Sequence, residues 1–69
     1  MKMQPVSSST IAAVGYDEDT QTLRVEFNNT GLYEYSKVPK MFYQGLLNAD
    51  SVGKYFHANI KDVYSFSRV

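Results

Sequence analysis

The sequence predicts an α+β domain: a small antiparallel sheet of three to four strands with two short helices packed on one face. Three observations carry this. Leu23-Arg24-Val25-Glu26-Phe27 alternates apolar and polar residues, as a half-buried antiparallel strand does. The turn-forming run Asn28-Asn29-Thr30-Gly31 and a second alternation, Tyr33-Glu34-Tyr35, follow it at hairpin distance. Pro39, a residue suited to the first turn of a helix, then precedes Phe42, Leu46 and Ala49 at helical spacing.

Taken in chain order, residues 1–6 hold little apolar surface to tie them down and are expected as a flexible N-terminus ahead of a single domain at 7–69. Ile11 to Tyr16, small and β-branched, suggests a first strand that ends in the polar turn Asp17-Glu18-Asp19-Thr20-Gln21-Thr22. Leu23, Val25 and Phe27 give the second strand its core face. The third strand contains both tyrosines, and the turn before it has two readings. A three-residue loop Asn29-Thr30-Gly31, with Gly31 left-handed, pairs Phe27 with Tyr33 and puts both rings on the core face. A two-residue loop pairs Phe27 with Leu32 and turns the rings to the open face, because a one-residue slip inverts every side chain. Glycine at the third loop position favours the first. Beyond Val38-Pro39 a helix is expected to about Asn48. Asp50 or Ser51 can cap a second, in which Val52, Phe56, Ile60 and Val63 form the apolar stripe. The alternation from Val63 to Val69 suits a last strand returning to the sheet. Core candidates are Ile11, Val14, Leu23, Val25, Phe27, Val38, Phe42, Leu46, Val52, Phe56 and Ile60.

Composition narrows the function classes. At 69 residues and 43% hydrophobic, the chain is long enough for one thin core, burying roughly 60% of its unfolded surface, and dimerisation would help stabilise it. There is no cysteine, hence no disulfide, thiolate metal site or thiol nucleophile, which suits a cytoplasmic location. No stretch approaches the roughly 20 apolar residues that cross a bilayer, so no membrane association is expected. The net charge of zero divides unevenly: residues 1–34 carry −3 and residues 35–69 carry +3. A neutral chain is poorly suited to non-specific nucleic-acid binding, but a mildly basic half can meet an anion or pair head to tail with itself.

Two constellations point to a ligand. Tyr33 and Tyr35 offer rings on which flat ligands can stack, against the simpler role of packing beside Phe27. Ser51-Val52-Gly53-Lys54 at a helix start offers free amides, the positive end of the helix dipole and an ammonium group, which suit a phosphate or carboxylate; a plain serine cap is the simpler role. Ser51, Lys54 and Lys61 share a face and are the first choice for an anion contact. Ser7-Ser8-Ser9-Thr10 supplies hydroxyls ahead of the first strand. His57 is the only histidine, so no histidine pair or triad can be assembled, and no metal site, cofactor or catalytic residue is assigned.

In order, Ser7-Ser8-Ser9, Val14-Gly15-Tyr16-Asp17, Leu23-Arg24-Val25-Glu26-Phe27, Gly31, Tyr33-Glu34-Tyr35, Val38-Pro39, Ala49-Asp50-Ser51-Val52-Gly53-Lys54-Tyr55-Phe56 and Ile60 resemble the KTSC domain. This small bacterial module is named for its place at the C-terminus of some lysyl-tRNA synthetases and also stands alone in bacteria and phages. The resemblance runs from about Val6 to Val69. It implies no synthetase chemistry, since none of the catalytic domain is present; RNA binding has been suggested for the family from the synthetase context. The expectation is therefore a non-enzymatic module that binds a phosphate-bearing ligand, single-stranded RNA or a small nucleotide, through Ser51, Gly53, Lys54, Lys61, Tyr33 and Tyr35. The alternative is a protein-interaction module, such as a small phage or mobile-element protein that docks on a host factor. A homo-oligomer is a further candidate partner state.

Overall fold

A computed structural model describes residues 1–69. Five strands, β1 (Met3–Pro5), β2 (Ile11–Asp17), β3 (Thr22–Phe27), β4 (Gly31–Tyr35) and β5 (Phe66–Arg68), form one antiparallel sheet in chain order. Helices α1 (Lys40–Asn48) and α2 (Val52–Asn59) fall between β4 and β5. Both helices cover one face, so the architecture is α+β.

Each face of the sheet follows from residue phase. On β3, Leu23 and Val25 are buried against the helices, while Arg24 and Glu26 point away. Arg24 pairs across the sheet with Glu34 of β4 on that open face, its Nε 2.9 Å from the carboxylate. Strand β2 obeys the same rule only because of a bulge: its register to β3 shifts between Ile11 and Ala13. Strict alternation would put Ile11 and Val14 on opposite faces, yet both are fully buried in the core. The extra residue returns them to the same side.

The hairpin β3–β4 resolves the tyrosine question. Asn28, Asn29 and Thr30 form the loop, and Phe27 pairs with Gly31, Val25 with Tyr33 and Leu23 with Tyr35. This register is two residues away from the three-residue reading, so side-chain parity is unchanged and both tyrosines lie on the helix-bearing face. Gly31 takes φ +99°, as a left-handed residue would, but as the first residue of β4 and not the last of the loop.

Four differences from the sequence reading have physical causes. The N-terminus, expected to be loose, carries β1, in which Met3 lies opposite Gly15. A Cβ on Gly15 would stand 2.7 Å from the Met3 sulfur, so the absent side chain gives the short strand its seat. Helix α1 starts one residue after Pro39, which caps it in an extended conformation without a side-chain hydrogen bond. Helix α2 stops at Asn59, and the amides of Ile60 and Lys61 both donate to the Phe56 carbonyl at 2.9 and 3.0 Å. Val63 thereby leaves the apolar stripe and is 62% exposed. Phe27 and Phe42 pack at the margin of the core, while Tyr35 joins its interior.

The two helices meet at a residue without a side chain. A Cβ on Gly45 of α1 would lie 1.9 Å from the Tyr55 hydroxyl of α2, so the Tyr55 ring occupies the notch that Gly45 leaves. Tyr16 of β2 stacks on Tyr43 of α1 at 5.4 Å and donates its hydroxyl to the Val38 carbonyl, tying α1 to the sheet.

Candidate ligand-binding trench

The segment Ser7–Thr10 runs beside the start of α2 and is held from two sides. The Ser8 Oγ accepts the amides of Thr10 and Ile11 at 3.1 and 3.2 Å. From the end of β3, the Asn28 side-chain amide donates to the carbonyls of Ser8 and Ser9 at 3.2 and 2.9 Å, and its backbone amide donates to the Thr10 carbonyl at 2.9 Å. With Ser8 engaged in shaping the loop, the hydroxyls of Ser7, Ser9 and Thr10 stay free for other partners. Opposite them, Ser51 caps α2 by accepting the Lys54 amide at 3.3 Å. A groove of about 660 Å³ lies between the two segments, lined by Ser7–Thr10 and by residues of Asp50–Ala58. Gly53 faces the Ser7–Thr10 segment: a Cβ there would reach 3.5 Å from the Thr10 hydroxyl and 3.7 Å from that of Ser8. That is ordinary contact, so glycine here leaves space that any side chain would fill.

A second lobe of about 410 Å³ opens where the groove meets the sheet. Its wall is aromatic: Phe27 meets Tyr33 edge to face at 5.5 Å, Tyr35 meets Phe56 likewise at 5.3 Å, and Phe66 of β5 tilts against both tyrosines at 5.7 and 5.5 Å. Tyr35 is 6% exposed, Tyr33 half-buried and Phe66 59% exposed, so the rings grade from core to solvent. Lys61, Asp62, His57 and two threonines supply the polar groups. Burial pushes the Tyr35 phenol above its ordinary pKa, with Tyr33 and the Asp62 carboxylate adding to the effect. Thr10, Gly53 and His57 line both lobes, so the two adjoin along these residues as a trench in two parts, one polar and one aromatic.

The residues singled out from sequence divide between the lobes. Ser51 and Lys54 border the polar groove, Tyr33, Tyr35 and Lys61 the aromatic lobe, and Gly53 both. The expected single face of Ser51, Lys54 and Lys61 is therefore split, because the helix ends before Lys61. The trench adds Phe66, His57 and Asp62 to the set. Phe66 was legible in part, since it shares the phase of the terminal alternation, but its neighbours Tyr33 and Tyr35 lie some thirty residues earlier and no local pattern links them. Neither Lys54, Lys61 nor Asp62 enters an ion pair; those the molecule makes are Arg24–Glu34 and Lys40–Glu18. No cluster of three or more metal-ligating side chains occurs, and no helix is long and apolar enough to cross a membrane.

Comparison with known proteins adds a family. The model described as the KTSC domain matches residues 7–64. The chain is 43% identical over 61 residues to an uncharacterised protein of Stutzerimonas stutzeri, covering 88% of this chain and 86% of that one. It is equally 43% identical to part of a lysine–tRNA ligase of Nostoc sp., where the same 88% of this chain spans only 11% of the ligase. The crystal structure of a KTSC domain protein from Yersinia pestis superposes with a TM-score of 0.96 at 37% identity, covering 99% of this chain and 96% of that one.

Proposed function

The chain belongs to the KTSC domain family, and from that premise we propose that it is a non-enzymatic binding module for a phosphate-bearing ligand, a single-stranded RNA or a small nucleotide. The observation that carries this is the meeting of the two lobes at Gly53. The phosphate lies among the free hydroxyls, the first amides of α2 and Lys54, and the ring system reaches past Gly53 to stack against Tyr33 and Phe66. Asp50 and Asp62 offset Lys54 and Lys61, so attraction by net charge is weak and stacking carries most of the affinity, at roughly 1–3 kcal/mol per base. The side chains of His57, Lys61 and Asp62 make no hydrogen bond to one another, so no nucleophile, base and orienting group stand assembled, which favours binding over turnover. A relative that is a lysine–tRNA ligase agrees with an RNA ligand.

The test is a low-salt titration, read by tyrosine fluorescence, of a short single-stranded RNA and of a mononucleotide. Tyr33→Ala is expected to weaken binding by roughly 5- to 150-fold, the range that loss of one stacked base implies. Lys54→Ala should weaken it further and reduce its salt dependence. Unchanged binding by the double variant would end this reading.

A second reading, a module that docks on another protein such as a host factor, draws on Met41 and Leu47, which are 64% and 42% exposed on α1. It requires that Met41→Ser with Leu47→Ser remove a stoichiometric protein partner recovered from bacterial lysate. A lysate that yields only nucleic acid would count against it.

A further inference from the structure

The aromatic lobe holds one group that a general stacking surface has no use for. Every base has a π face, so stacking alone discriminates little. The carboxylate of Asp62 differs in kind: a carboxylate only accepts hydrogen bonds, through two oxygens set side by side. Asp62 lines the lobe together with Tyr33, Tyr35 and Phe66. It enters no ion pair, although its neighbour Lys61 lines the same space. Its backbone is left-handed, φ 65°, a conformation that aspartate and asparagine adopt more readily than other non-glycine residues. A bare carboxylate is a poor neighbour for phosphate, but the phosphate end of the trench lies on the far side of Gly53, beside Lys54. Asp62 lines the ring lobe close enough to Tyr35 to act on its phenol, and the two oxygens of a carboxylate match a heterocycle edge that presents two adjacent N–H donors, as in the fork geometry of a bidentate pair.

We propose that Asp62 is a specificity residue and that the aromatic lobe takes a purine edge with adjacent ring N–H and exocyclic amine, the edge of guanine. The inference rests on the phosphate-ligand reading of the trench and deepens it. Adenine and cytosine present one donor beside an acceptor, which a carboxylate repels. Uracil flanks its single N–H with carbonyls. Hypoxanthine keeps the ring N–H and lacks the amine, so it isolates the second hydrogen bond.

The experiment compares GMP, IMP, AMP, UMP and ribose 5-phosphate on the wild-type chain and on Asp62→Asn, a replacement suited to the same left-handed backbone. GMP is expected to bind roughly tenfold tighter than IMP, and AMP and UMP to bind no better than IMP, in keeping with the discrimination of a bidentate base contact. Asp62→Asn should erase the difference between GMP and IMP while leaving IMP affinity in place. Equal binding of GMP and IMP by the wild type, or a guanine preference that survives in Asp62→Asn, overturns the proposal. If ribose 5-phosphate binds as tightly as every nucleotide, the phosphate groove stands and the inference about Asp62 falls. If none of the five binds, the inference about Asp62 falls, and the phosphate-ligand reading is decided by the RNA titration alone.

Discussion

Two residues show how a single side chain, or its lack, sets local energetics. Gly31 opens β4 at φ +99°, and a Cβ there would meet only the Arg68 guanidinium at 3.7 Å. Space is available, so the cost of Gly31→Ala is conformational, about 1–2 kcal/mol. It should appear as a lower urea midpoint with an unchanged slope. Tyr35 reports on pH. Its phenol is raised above 10.0, chiefly by burial, so the unfolded chain loses this proton first. Above about pH 10 the unfolded state binds fewer protons than the folded one, and stability falls as pH rises towards the folded pKa; below the unfolded value the contribution is fully present. Tyr35→Phe should therefore leave stability near pH 7 little changed and flatten its decline above about pH 10. Urea midpoints measured across that range decide it, and a decline as steep as in the wild type would place the loss in another group, such as Tyr16, which burial also raises.

Between elements, the closest fit is α1 on α2. Alanine is a better helix residue than glycine by about 1 kcal/mol, so propensity alone predicts that Gly45→Ala stabilises α1. The Tyr55 hydroxyl, which stands where the new Cβ would be, predicts the reverse: a lower melting temperature, relieved when Tyr55→Ala is added. The coupling in that double-mutant cycle should fall within about 0.5–3 kcal/mol, and additivity would contradict it. What the sequence made legible at this scale follows from periodicity. Leu23, Val25 and Phe27 announced β3, and Ser51 with Val52 and Phe56 announced α2. Strand β1 had no such signal, because Met3-Gln4-Pro5 is short and its seat is the missing side chain of Gly15, twelve residues on. The bulge in β2 was hidden as well, since Ile11 and Val14 read as two buried residues whichever faces they take.

For the whole molecule, size dominates. Seven large side chains are fully buried, among them Leu46 and Ile60, and a domain of 69 residues has a total stability of roughly 3–10 kcal/mol. Truncating one such side chain costs about 2–5 kcal/mol, a large share of that total. Leu46→Ala or Ile60→Ala should leave a substantial unfolded population at 37 °C by circular dichroism, whereas Lys54→Ala should not. The trench is a property of this scale too. The halves named from sequence are each local, but their meeting depends on bringing Ser7–Thr10, the β3–β4 hairpin, α2 and β5 to one place, which no local pattern encodes. Its shape also rests on a residue that lines neither lobe. The register of β2 shifts across Ala12, and everything upstream inherits the phase of that shift. Were Ala12 instead paired in regular register opposite Phe27, Ile11 and the Ser7–Thr10 segment would turn half a revolution towards the open face, and the trench would lose an entire wall. Deleting Ala12 removes the bulge without that inversion, since plain alternation then keeps Ile11 and Val14 on the core face.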